Sequence, residues 1–114
     1  MSRVLVIFAS PPGSSARDGI DAALAALAYD HSVSVMLVGN GVCLVAPGQQ
    51  PQLHGVPDLA RGLAALIHHG VDEVLVSAAC LRVRGIAVSG VAVRALESAE
   101  LVALIAEHRH VICF

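Results

Sequence analysis

Apolar residues fall along the chain in runs and stripes, and turn chemistry separates them. Val4 to Phe8 is a continuous apolar run rich in β-branched residues, as in a central strand buried on both faces. Ser10-Pro11-Pro12-Gly13-Ser14-Ser15 follows as a turn. Ile20, Ala23, Leu24 and Leu27 then recur at i, i+3, i+4 and i+7, which predicts an amphipathic helix from Arg17 to Ala28. Asp18 and Asp21 fall in its first turn, at the positive end of the helix dipole. Val33 to Val38 predicts a second buried strand, ended by Asn40-Gly41, with Gly41 expected at positive φ. Residues 48–57 read as a loop. Leu59, Leu63, Leu66 and Ile67 mark a helix from Asp58 to His69, with Gly70 as its C′ residue. Glu73 to Val76 predicts a third strand, and Ala78 to Arg84 a short helix closed by Gly85. Val91 to Val93 predicts a short strand. Leu101, Leu104 and Ile105 mark a last helix with Ser98 as N-cap. Val111 to Phe114 predicts a closing strand. Strands alternating with helices over short connections imply an α/β class. The expected architecture is a three-layer α/β/α domain with a five-stranded, mainly parallel sheet, spanning residues 1–114 as one domain.

Composition changes this picture in one respect. Hydrophobic residues make up 56% of the 114 and charged ones 14%, against about 45–50% and about 25% in ordinary domains. All seven basic residues are arginine and the net charge is −2. That balance excludes direct nucleic-acid binding through net positive charge. A membrane span needs roughly 18 or more consecutive apolar residues. The longest greasy stretch, Val33 to Val45, is broken by Gly39, Asn40 and Gly41, so no membrane partner is expected. Two destinations remain for the apolar surplus: a sheet covered on both faces, and a subunit interface. An obligate oligomer is therefore expected. The three cysteines form no C-x-x-C pair. Their odd number, and an N-terminus without the features of a signal peptide, point to reduced thiols in a cytoplasmic protein.

Ligands of parallel α/β sheets bind beyond the carboxyl ends of the strands, and three segments reach that edge. Ser10 to Ser15 offers hydroxyls and amides before a helix N-terminus, so Ser10, Gly13 and Ser14 are ligand-facing candidates. The same stretch also reads as a plain connecting turn, because it lacks the glycine spacing of phosphate-binding loops. Asn40-Gly41-Val42-Cys43 carries a thiol between apolar neighbours, read as buried and inert. Ser77-Ala78-Ala79-Cys80-Leu81-Arg82 is the most informative. With Ser77 as N-cap, Cys80 falls at N3, where unpaired amides and the dipole favour a thiolate. Arg82 and Arg84 add positive potential, and Ser77 and Arg82 join the ligand-facing candidates. The alternative for Cys80 is a small packing residue. His68-His69 ends a helix, and His108-x-His110 straddles a helix end and a strand start. Neither gives a ligand set with metal spacing, so no metal site and no cofactor is expected.

Taken in order, these segments resemble the DsrE/DsrF-like sulfur-relay family, and within it the TusC/DsrF branch. The resemblance rests on Val4 to Pro12, Arg17-Asp18-Gly19-Ile20-Asp21, Gly41-Val42 followed by Pro47-Gly48-Gln49, Ser77 to Arg82 with Arg84-Gly85, and the closing Val111-Ile112-Cys113-Phe114. It implies a DsrE-like fold and assembly, as a homo-oligomer or as a hetero-hexamer with DsrE/TusD-type and DsrH/TusB-type subunits. It also implies sulfur donor and acceptor proteins, with persulfide sulfur destined for tRNA 2-thiouridine or for sulfur oxidation. The persulfide-forming cysteine of the family's catalytic subunit aligns here on Val76 or Ser77, and Cys80 lies three or four positions further on. The resemblance therefore implies a non-catalytic, accessory subunit. Two other readings stay open: a sulfurtransferase carrying persulfide on Cys80, and a small anionic-ligand module using the Ser10 to Ser15 loop.

Overall fold

A computed structural model describes residues 3–46, 59–88 and 93–114. Strand β1 (Arg3–Phe8) leads into helix α1 (Ser14–Ala28), strand β2 (Ser32–Leu37) and a 3-10 helix over Gly39–Val45. Helix α2 (Leu59–His68), strand β3 (Glu73–Ser77), helix α3 (Ala78–Arg84), strand β4 (Arg94–Leu96), helix α4 (Ser98–Glu107) and strand β5 (His110–Cys113) complete the order. All neighbouring strands are parallel, in the order β4-β3-β2-β1-β5.

This topology explains the layers. The chain steps from β1 to β4 in one direction across the sheet, and right-handed crossovers place the intervening helices on one face. It then returns from β4 to β5, past the whole sheet, so α4 lies on the other face. The strand period of two sorts the core accordingly. Val4, Val6, Phe8, Val33, Val35, Leu37, Val74 and Val76 meet Ala16, Ile20 and Ala23 of α1 and Leu63 and Leu66 of α2. Leu5, Ile7, Met36 and Leu75 turn the other way, towards Leu96 and Leu101. The in-register pairs Val4–Val33, Val6–Val35 and Phe8–Leu37 keep the first of these faces apolar across strands. The result is the three-layer, five-stranded α/β arrangement expected from the sequence.

Several details differ. Helix α1 begins at Ser14 with Gly13 as N-cap, so its first turn holds no acidic residue. Asp18 and Asp21 fall in the second and third turns, because the serines join the helix instead of the preceding turn. The described fourth strand is Arg94–Leu96; Val93, the end of the expected strand, precedes it outside any strand, and residues 91 and 92 lie outside the described residues. So does the loop expected over residues 48–57, with the Pro47-Gly48-Gln49 segment. Glu97, not Ser98, caps α4. Its carboxylate accepts from the amide of Glu100, and the Glu100 side chain accepts from the amide of Glu97, which forms a capping box in which glutamate replaces the usual hydroxyl. Gly39 rather than Gly41 takes positive φ, at 54°. Gly41 is glycine for another reason. The 3-10 helix crosses the end of β1 so closely that a Cβ at this position would collide with the Phe8 carbonyl.

Candidate functional site

The corner where β3 hands over to α3 is built by a cap. Ser77 is buried at 3% exposure and leaves the strand with extended backbone angles. Its hydroxyl accepts a hydrogen bond from the Cys80 amide at 3.2 Å, which satisfies one of the orphan donors of the helix start. At the far end Gly85 takes the left-handed conformation that closes the helix. This geometry fixes Cys80 at N3, half-buried, at the carboxyl edge of the sheet.

The thiol sits between two elements distant in sequence. Its Sγ accepts a hydrogen bond from the Gly39 amide at 3.3 Å, which ties α3 to the start of the 3-10 helix. Arg84 reinforces the same seam. Its Nε and Nη2 donate to Asn40 Oδ1 at 3.1 and 2.9 Å, and its Nη1 donates to the Cys80 carbonyl at 3.4 Å. The hydrogen bond from Ser77 is the main influence holding the Cys80 thiol below its ordinary pKa. Burial opposes that shift, while the Gly39 amide and the Arg84 charge add to it. A thiol so placed carries a larger thiolate share at neutral pH, and the thiolate is the nucleophile.

The other sequence-selected residues take different positions. The Arg82 guanidinium binds Glu97 with two contacts of 3.1 Å on the exposed side, and of the two arginines only Arg84 acts on the thiol. Ser10 donates its amide to the Phe114 carbonyl at 3.3 Å, which joins the loop after β1 to the end of β5. The Gly13 carbonyl accepts from Arg17 at 3.0 Å, and Ser14 is the exposed first residue of α1. Cys43 is half-buried in the 3-10 helix rather than fully enclosed, and Cys113 is exposed. No group of three His, Cys, Asp or Glu suited to a metal is found among the described residues. Nor is any of their helices long and apolar enough to cross a membrane.

Sequence reasoning placed Cys80 at the helix start but missed the long-range partners of this corner, Gly39 on Cys80 and Asn40 on Arg84. Gly39 and Asn40 lie 41 and 44 positions away from the residues they meet. The one visible signal was the Gly39-Asn40-Gly41 break directly after the second strand, on the same sheet edge.

Comparison with known proteins adds a family. The profile of the DsrE/DsrF-like family matches residues 2–114. The chain is 43% identical over 90 residues to a protein named TusC homolog from Pseudomonas aeruginosa, covering 76% of each chain. It is 36% identical over 89 residues to a TusC homolog from Vibrio parahaemolyticus, covering 76% of this chain and 75% of the relative. In fold it is similar to the ychN protein of E. coli, whose crystal structure superposes with a TM-score of 0.80 over all of both chains at 21% identity.

Proposed function

The chain belongs to the DsrE/DsrF-like family, in its TusC/DsrF branch, and from that premise we propose that it is an accessory subunit of a cytoplasmic sulfur-relay complex. In this reading residues 1–114 form one domain that assembles with DsrE/TusD-type and DsrH/TusB-type subunits. The complex passes persulfide sulfur from a donor to an acceptor protein, towards tRNA 2-thiouridine or sulfur oxidation.

One observation carries the accessory role. By the family resemblance, the place of the persulfide cysteine falls on Val76 or Ser77, and the environment of those two residues is the observation. Val76 is fully buried, and Ser77 is buried with its hydroxyl engaged at the helix cap. A methyl-bearing core residue and a capping hydroxyl supply packing and rigidity, and neither holds sulfane sulfur. Co-expression with a DsrE-type and a DsrH-type relative tests the assembly. Joint elution on affinity and size-exclusion columns is the expected result, and separate elution of all three counts against it.

The Gly39 amide on the Cys80 sulfur favours a second reading, in which Cys80 carries persulfide itself. The Cys80 thiolate would attack the outer sulfur of a donor persulfide. A sulfur–sulfur bond forms at Cys80 as the donor's breaks, and the donor leaves as a thiolate that takes up a proton. Intact-mass analysis after incubation with a persulfide donor distinguishes the two readings. A gain of about 32 Da, one sulfur atom, that disappears in Cys80→Ser supports the carrier. No gain under conditions that load a DsrE-type subunit removes it.

A further inference from the structure

The open edge of the sheet, away from the Cys80 corner, has its own chemistry. A cleft of about 500 Å³ lies at the amino end of the strands. Val4, Ala26 and Ile112 form its apolar walls, and His31, Arg109 and His110 supply its polar groups. No carboxylate lines it, and among the described residues none pairs with Arg109. Asp30 and Glu107 are near in sequence, but neither reaches the cleft. In a chain of net charge −2, this is an unneutralised basic spot beside an apolar surface.

The strand forming one wall is itself unguarded. All four residues of β5 are exposed, with Val111 at 40% and Ile112 at 44%. Among the described residues β1 is its one strand neighbour. The Phe114 amide donates to Ile7, and the Phe114 carbonyl accepts from Ala9, so both backbone groups of Phe114 face β1. Backbone direction alternates along a strand. Ile112 and His110 therefore also turn to β1, and Val111 and Cys113 present their N–H and C=O groups outward. Natural edges are usually blunted by charge, proline or a bulge. The opposite edge follows that practice, since β4 has three residues and its Arg94 pairs with Glu73 at 3.3 Å. Strand β5 exposes an apolar residue on each face, Val111 and Ile112, and none of its four residues is an acidic, lysine, arginine or proline guard.

We propose that β5 and the adjoining cleft dock an extended acidic segment of a partner protein, which adds to the sheet beside β5. The outward backbone groups of Val111 and Cys113 bond the incoming strand. Val111 and Ile112, on opposite faces, receive its alternating apolar side chains, and Arg109 with the two histidines receives its carboxylates. Strand addition of this kind takes affinity from the main chain and specificity from side-chain pockets. Charge complementarity favours this occupant over a second copy, because β5 has no acidic side chain to offer a twin's Arg109. The inference stands independently of the sulfur-relay reading.

The test is a titration of the isotope-labelled full chain, followed by amide NMR, with a short acetylated peptide alternating valine and aspartate. At about 1 mM peptide, the amides of Val111 and Cys113 should shift and their hydrogen exchange should slow. The same peptide with lysine for aspartate should leave them unmoved. Arg109→Glu combined with His110→Glu should weaken binding at least about tenfold. His31→Gln, which leaves β5 intact, should weaken it by less. Four results would each overturn the proposal: no shift at β5, equal binding of the lysine peptide, the same shifts produced by inorganic phosphate alone, or the same shifts produced by raising the concentration of the chain itself. The third would mark a small-anion pocket and the fourth a self-association face.

Discussion

Replacing Ser77 by alanine removes one oxygen and is predicted to change two measurable properties at once. The hydroxyl accepts from the Cys80 amide at 3.2 Å, and loss of such a cap costs about 1 kcal/mol, with a range of roughly 0.5–2. Ser77 is only 3% exposed, so water reaches the orphaned amide poorly and the upper half of that range applies. For a domain of this size each kcal/mol lowers the melting temperature by about 4 °C. The same oxygen is the main influence lowering the Cys80 pKa, so the variant's thiol should titrate at a higher pH than the parent's. Glycine separates the effects. Ser77→Gly should restore most of the stability, because glycine at an N-cap costs only about a few tenths of a kcal/mol. It should nonetheless raise the thiol pKa as much as alanine does. Urea unfolding followed by circular dichroism reads the first quantity. The pH dependence of iodoacetamide alkylation, in a background of Cys43→Ala and Cys113→Ser, reads the second. A Ser77→Ala protein with the parent's stability and the parent's alkylation profile would refute the cap.

Other outcomes follow from the same geometry. Arg84→Ala should also raise the Cys80 pKa, since its charge favours the thiolate, while Arg82→Ala should leave the alkylation profile unchanged because Arg82 engages Glu97. A thiol whose folded pKa is depressed adds stability above its unfolded pKa and loses it as pH falls through the folded one. The stability of the parent relative to Cys80→Ala should therefore rise with pH across the interval just below the ordinary thiol range, as denaturation at a series of pH values would show. Gly41→Ala drives a methyl group into the Phe8 carbonyl and should destabilise by about 1–3 kcal/mol, the usual cost of overpacking, read from the urea midpoint. Leu66→Ala, at a fully buried position, should cost about 2–5 kcal/mol in the same assay.

The three central strands were the most legible part of the chain because they are buried on both faces. Val4–Phe8 is then a continuous apolar run, and Val33–Val38 is one interrupted only by the buried Ser34. Helix ends were less legible. Ser14 and Ser15 resemble turn residues, and the helix takes them in because Gly13 can serve as cap. Glu97 escaped notice as an N-cap because its partner, Glu100, completes a reciprocal pair that neither residue announces alone. The fourth strand was expected too early in the chain, at Val91 to Val93, for a similar reason. At an exposed edge its residues, Arg94-Ala95-Leu96, lack the apolar run of a central strand, and two of the three are exposed. At the candidate site, position along the chain gave Cys80 its place at N3. It gave no sign of Gly39 or Asn40, because contacts between adjacent strand-end loops depend on strand order, which local periodicity does not encode.

Strand order also governs the sequence of events during synthesis. Strand β1 precedes the other four in the chain, yet one of its two hydrogen-bonding edges is completed only by β5, the last of the five in chain order. Until then a nascent four-stranded intermediate shows the bare flank of its most apolar strand to the cell. Helix α4 must emerge and cross the sheet before that flank closes. The pace at which α4 and β5 are synthesised, and a chaperone able to shield a naked β1, should therefore influence the yield of this fold.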